Sequence, residues 1–131
     1  MEDAVRAFLE KHRGAVVATI KADGAPHVVR VGVALMGDVL WSSGTRDRVR
    51  TRNLRRDPRA TLFVLGSGPY EWMGVESHVR ILDGEDAPEL NLKLYRALAG
   101  EPDDVDEYLD AMVRERRLIY EFTIDRTYGQ F

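Results

Sequence analysis

Ala15-Val16-Val17-Ala18-Thr19-Ile20 is followed by Lys21-Ala22-Asp23-Gly24-Ala25-Pro26 and then by His27-Val28-Val29-Arg30-Val31-Gly32-Val33-Ala34-Leu35. The first and last of these runs are apolar and rich in β-branched residues, as strands are. Asp23-Gly24 between them is a strong signal for a tight hairpin turn, because glycine reaches the left-handed backbone region freely. Over His27–Leu35, Val29, Val31, Val33 and Leu35 fall on one face. Val28, Arg30, Gly32 and Ala34 fall on the other. A face of small and charged residues borders a cavity or an interface more readily than an oily core.

The same alternation continues along the chain. Gly37-Asp38 is a second turn, leading into a strand over Val39–Ser43. Thr61–Leu65 reads as a buried strand, and Gly66-Ser67-Gly68-Pro69 as a turn. Tyr70–Leu82 reads as a longer strand with a bulge or bend at Gly74, and Leu118–Ile124 as the last strand. Helical spacing occurs in four places. Val5, Phe8, Leu9 and His12 share one face of a helix over Asp3–Arg13, with Gly14 as its C′ residue. A short helix begins at a cap supplied by Asp47 or Thr51 and stops before Asp57-Pro58. Leu90, Leu94, Ala97 and Leu98 form one later stripe; Val105, Tyr108, Leu109, Met112 and Val113 form another. Short strands joined mostly by tight turns predict a closed or nearly closed barrel that the helices plug or flank. At 131 residues, the chain is expected to form a single domain, residues 1–131.

Composition narrows the function. With no cysteine, thiolate catalysis, disulfides and cysteine-ligated zinc are excluded. The histidines, at 12, 27 and 78, have no metal-ligand spacing, so no metal site is expected. No apolar run approaches the ~20 residues of a membrane span. The acidic, then amphipathic start does not resemble a signal peptide, and a cytoplasmic protein is the simplest expectation. Net charge is −3 but unevenly spread: Glu85–Asp110 is acidic and Arg46–Arg59 basic. A nucleic-acid binder usually shows a broad basic surface, whereas a local one favours a small anionic ligand.

The basic stretch is Ser42-Ser43-Gly44-Thr45-Arg46-Asp47-Arg48-Val49-Arg50-Thr51-Arg52-Asn53-Leu54-Arg55-Arg56-Asp57-Pro58. It has two readings. Some of Ser43, Thr45, Arg46, Arg48, Arg50 and Asn53 form a seat for phosphate or carboxylate where a strand ends and a helix begins. Alternatively, the arginines line a solvated helix and pair with nearby acids. Only a subset can face one ligand, since alternate arginines share a side in extended chain and spread around a helix. His27 and Trp72 have two readings as well: for His27, an ordinary core or surface histidine or a catalyst, and for Trp72, core packing or contact with a ligand or partner. For Trp72 the second reading includes ring stacking or a place in a dimer interface. Tyr128 fits barrel closure better than proton donation.

Val17–Val28 and Thr51–Ala60 together resemble the pyridoxamine 5′-phosphate oxidase-like split-barrel proteins, and most of all their actinobacterial branch, the deazaflavin (coenzyme F-420)-dependent reductases. Leu94-Tyr95-Arg96, Ala99-Gly100-Glu101, Tyr108 with Met112 and Val113, and Tyr128-Gly129 extend the likeness over nearly the whole chain. The resemblance implies a mainly β, α+β fold: a six-stranded, FMN-binding-like split β-barrel with flanking helices. It further implies a homodimer with cofactor in a groove at the interface. Ser43, Arg48, Arg50 and Asn53 would then grip the cofactor phosphate. His27, Val29 and Arg30 would flank the ring, and Trp72 would come from the other subunit. The chain departs from the family pattern at two of these positions. Arg50 stands where some relatives have Lys, and Arg30 where they have Pro or a small polar residue. Several arginines around one groove match a phosphodiester with a carboxylate tail better than the single phosphate of flavin mononucleotide, and no histidine is placed as a haem ligand. The expected activity is therefore hydride transfer from reduced coenzyme F-420 to an unsaturated or conjugated organic acceptor. The alternatives are a flavin mononucleotide-dependent oxidase or reductase and a non-catalytic binding protein.

Overall fold

The computed structural model describes residues 1–131. Helix α1 (Asp3–Lys11) precedes strands β1 (Gly14–Ile20), β2 (Pro26–Gly32), β3 (Ala34–Met36) and β4 (Val39–Thr45). Helix α2 (Val49–Arg56), strands β5 (Arg59–Leu65) and β6 (Trp72–Leu82), helices α3 (Ala87–Ala99) and α4 (Val105–Arg114) and strand β7 (Arg117–Gln130) complete the chain. The strands form one antiparallel sheet in the order β2-β1-β5-β6-β7-β4-β3.

The expected strand over His27–Leu35 is two strands, which makes seven in place of six. The division has a local cause. Gly14 pairs with Gly32, and there β1 runs out of partners. The next amide, on fully buried Val33, donates to the Arg13 carbonyl at 2.8 Å. Ala34 then pairs with Trp41 on β4. One residue thus carries the chain from one edge of the sheet to the other, so the sheet must curl until its edges approach. The result is a split β-barrel, and closure protects the edges that an open sheet would expose.

Alternation places Ala15, Val17, Leu40, Ala60, Leu62, Val64, Met73, Val75, Leu118, Tyr120 and Phe122 inside the barrel. Helix α1 adds Val5, Phe8 and Leu9 to this core, and α2 adds Leu54. The opposite face of β3, β4 and β7 forms a second cluster in which Ala34, Trp41 and Ile119 meet Leu94 of α3. The 85–116 segment therefore covers the outer face of one half of the sheet. No helix is long and apolar enough to cross a membrane.

Several local expectations change. Helix α1 ends at Lys11, and Gly14 opens β1 instead of capping the helix, because His12 is already extended. Neither Asp47 nor Thr51 caps α2; Arg48 holds the cap position without a side-chain bond. The bulge of β6 falls between Glu76 and Ser77, not at Gly74. Gly74 instead makes room for an aromatic ring. The Tyr128 side chain lies directly on it, and an added Cβ would overlap that ring. Strand β6 starts at Trp72, and β7 runs past Ile124 to Gln130.

Candidate functional site

Helix α2 is fastened to the barrel by polar side chains. Thr51 Oγ1 donates to the Thr45 carbonyl at 2.7 Å and lies 2.5 Å from the Tyr120 hydroxyl. Tyr120 can reach that far because Gly44 has no side chain, and a Cβ there would overlap the Tyr120 oxygen. On the next turn, Asn53 Nδ2 donates to Thr19 Oγ1 at 3.1 Å, and Arg56 donates to the Ile20 carbonyl at 2.5 Å. These bonds turn Arg50, Thr51, Asn53 and Leu54 inward, leaving Arg48, Arg52, Arg55 and Arg56 exposed.

Arg50 is the unusual member. Its residue is only 9% exposed. The guanidinium stacks over Tyr120, 5.2 Å from the ring centroid. One terminal nitrogen donates to the Ser43 carbonyl at a long 3.3 Å, and Nε is buried with no partner. Burial pushes the guanidinium below its ordinary pKa; the Tyr120 hydroxyl opposes this, and the Arg48 and Arg117 charges add to it. Arginine nevertheless stays protonated. A buried, under-bonded cation with two like charges acting on it is costly unless an anion completes it. Its five donors in a planar fork suit phosphate or carboxylate.

The other expected site residues fall into two groups. On the inner side, His27 lies opposite Thr19 on β1, with Nδ1 buried and unpartnered. Val29 packs on the barrel core. The Asn53 amide already bonds Thr19. The Ser43 carbonyl meets Arg50, but its hydroxyl points the other way and donates to Asn91 Oδ1 of α3 at 2.5 Å. The Asn91 carbonyl in turn accepts from Tyr108 of α4 at 3.1 Å. Arg48 stands in the open at the start of α2.

Arg30 and Trp72 lie on the outer side. The pairing register runs Arg30–Val16–Phe63–Gly74–Tyr128 across five strands. Phe63 stacks on Trp72 with centroids 5.2 Å apart and planes at 11°, and Trp72 meets Tyr128 edge-on at 6.0 Å. Val28 is 60% exposed, Phe63 41% and Tyr128 39%. The barrel wall thus separates Arg30 and Trp72 from Arg50.

Sequence reading did not single out Tyr120, Thr51 or Arg117 for the site. Tyr120 looks like any inward residue of an alternating strand. Arg117 joins the site only because β7 pairs with β4, which sets it opposite Thr45.

A curled antiparallel sheet with helices at its end and on one outer face defines the split-barrel class. The chain matches the family model for pyridoxamine 5′-phosphate oxidase over residues 1–131 and belongs to that family. Among solved structures, it is similar to an F420 reductase, with 23% identity, a TM-score of 0.79 and 99% of this chain aligned to 100% of that one. It is also similar to the conserved hypothetical protein Rv2991 from Mycobacterium tuberculosis, with 24% identity, a TM-score of 0.80 and coverage of 97% and 82%. A FAD-binding protein from Mesorhizobium loti is 18% identical, with a TM-score of 0.69 and coverage of 97% and 92%.

Proposed function

We propose that the protein is an oxidoreductase that binds a phosphate-bearing deazaflavin, coenzyme F-420, and reduces an unsaturated or conjugated organic acceptor. The observation that carries this reading is the buried Arg50 guanidinium with its unpartnered Nε. Arg50 fits a phosphate oxygen, and Arg48 adds a second donor from solvent. The Arg117 charge also acts on Arg50, so the local field suits a ligand with more than one anionic group. Membership of the pyridoxamine 5′-phosphate oxidase family and the likeness to an F420 reductase agree with this reading.

Hydride chemistry comes with the cofactor when it is bound, and the protein's part is binding, orientation and electrostatics. Arg48 and Arg50 hold the anionic end. Tyr120 holds the Arg50 plane, and Thr51 holds Tyr120. His27 and Val29 on β2 form the wall proposed for the ring. The protein acts as a homodimer with the cofactor at its interface, and the bare Phe63–Trp72–Tyr128 face with Val28, across the barrel wall from Arg50, offers a further apolar surface to the partner. Such an aromatic patch suits an interface core.

Flavin mononucleotide is the second reading, because one phosphate is enough to satisfy the single unpartnered Nε. Titration of the apo protein with coenzyme F-420 and with flavin mononucleotide, read by fluorescence at moderate salt, separates the two. Tight binding of the deazaflavin alone supports the proposal. Preference for flavin mononucleotide overturns it in favour of the second reading, and binding of neither removes both.

A further inference from the structure

Helix α3 packs on the outer face of β3, β4 and β7 through Leu94, which meets Ala34, Trp41 and Ile119. Asn91, a turn earlier on the same helix, is only 1% exposed. Its Oδ1 accepts from the Ser43 hydroxyl at 2.5 Å, and its Nδ2 donates to the Ala87 carbonyl at 3.0 Å. Its main-chain carbonyl accepts from the Tyr108 hydroxyl of α4 at 3.1 Å. The polar groups are satisfied, yet burying an amide carries a desolvation cost that an apolar side chain of similar shape escapes. Stability alone therefore does not account for an asparagine at this place.

The residue that Asn91 holds is the one that orients Arg50. Ser43 is bound at two points: its hydroxyl donates to Asn91, and its carbonyl accepts from Arg50 Nη2 at 3.3 Å. The Tyr120 ring supports the guanidinium from one side, but a flat ring leaves it free to turn within its own plane. The Ser43 carbonyl is the hydrogen-bond acceptor of this side chain, so its position sets that angle. The five donors of the fork turn together. The angle therefore decides where the unpartnered Nε–H points.

We propose that Asn91 is a positioning residue for the anion seat. Through the Ser43 hydroxyl it holds the Ser43 peptide, and so presets the angle at which Arg50 offers its fork to a phosphate oxygen. The inference rests on the reading of Arg50 as that seat. Donors ordered before a ligand arrives lose less entropy when they bind it. Asn91 thus acts on affinity from the far side of β4, and it ties the packing of α3 to the binding of the anion.

The test uses Asn91→Ala and a double variant, Asn91→Leu with Ser43→Ala. Leucine keeps the branched outline of asparagine, and Ser43→Ala makes room for its larger methyl groups. Exchanging both partners of a hydrogen bond for apolar groups is nearly neutral, so the double variant is expected to keep the thermal midpoint of wild type. Asn91→Ala leaves a cavity and an unpaired Ser43 hydroxyl, and its midpoint should fall. Two readouts follow position and not stability. The first is the Nε–H resonance of Arg50 in the ligand-free protein, identified by its absence in Arg50→Met; it is expected to shift or broaden in both variants. The second is titration with inorganic pyrophosphate and with coenzyme F-420. Both should bind the double variant about fivefold more weakly than wild type, the scale of one neutral hydrogen bond. An Arg50 resonance at its wild-type position in both variants overturns the role of Asn91 and leaves the anion seat intact. Weaker binding in Asn91→Ala alone, in step with its lower midpoint, does the same, because packing then explains the loss. If neither pyrophosphate nor coenzyme F-420 moves the Arg50 resonance of wild type, the seat reading and this inference fall together.

Discussion

The Arg50 guanidinium lies over the Tyr120 ring at 5.2 Å, and the hydroxyl of the same ring lies 2.5 Å from Thr51, the next residue of α2. One tyrosine from the last strand therefore both anchors the helix and supports the cation that the helix carries. The support is partial. A cation–π contact attracts the charge, but it leaves the Nε hydrogen without an acceptor.

Replacing Arg50 should consequently separate stability from binding. In Arg50→Met the apolar stem is kept and the buried charge is lost. The variant is expected to be as stable as wild type in urea unfolding, or more so, since a buried unpaired charge is a burden on the fold. Its affinity for the phosphate-bearing cofactor should fall by ~1.5–3 kcal/mol, the scale of a hydrogen bond to a charged group. A variant that binds normally would remove Arg50 from the site.

Tyr120→Phe deletes the hydroxyl and keeps the ring. Thr51 retains its bond to the Thr45 carbonyl, so the expected loss is only ~0.5–1.5 kcal/mol of stability. Cofactor affinity should change little, because the ring still lies under Arg50. A stability loss well above that range would mean that the hydroxyl holds more than α2.

Gly44→Ala places a methyl carbon inside the space of the Tyr120 ring and its oxygen. The ring must move, taking Thr51 and Arg50 with it. Overpacking of this kind costs ~1–3 kcal/mol, and cofactor binding should weaken in parallel. Thermal unfolding and the same fluorescence titration measure the two effects, and wild-type values in both would show that the ring has room to yield.

The outer aromatic face gives a test of assembly. Phe63 and Trp72 stack on the uncovered side of the sheet, away from the barrel core. If this face holds the proposed homodimer together, Trp72→Glu should leave the circular dichroism spectrum unchanged and shift a dimeric wild type to monomer in analytical ultracentrifugation. An unaltered sedimentation coefficient would place the dimer contact elsewhere.

Asp57 supplies a pH signature. It bonds the Arg59 amide and side chain at the α2–β5 turn, and the Arg59 side-chain bond brings its pKa down from 3.8 to about 2. A carboxyl lowered on folding stabilises the protein above its ordinary pKa, and that contribution fades as pH falls towards the folded value. The stability gap between wild type and Asp57→Asn should therefore close between pH 3.8 and about 2. Because the pair is exposed, the gap itself should be small and salt-sensitive. A gap that is constant with pH would show that Asp57 acts only through the shape of the turn.

Much of this architecture can be read from local chemistry. The turn at Asp23-Gly24, the inward row Val29, Val31 and Val33, and the end of α2 before Pro58 all follow from steric and periodic rules that act over a few residues. The concentration of positive charge is equally local, since six arginines between Arg46 and Arg56 cannot shed their charge. Which of them is buried is not local. Arg50 becomes the buried arginine because Thr51 and Asn53 are caught by Thr45, Tyr120 and Thr19, and Tyr120 lies 69 residues along the chain from Thr51. The break at Val33 depends likewise on the Arg13 carbonyl and on where β1 ends. Alternation assigns Ser43 and Arg30 to faces but carries no information on what covers those faces. Only the closed sheet turns the Ser43 hydroxyl to Asn91 and sets Arg30 outside the wall from Arg50. Strands, turns and a strongly basic stretch are therefore legible in the order of residues, because each depends on near neighbours. The choice of the arginine that loses its water belongs to the folded barrel, because burial depends on residues brought together from across the chain.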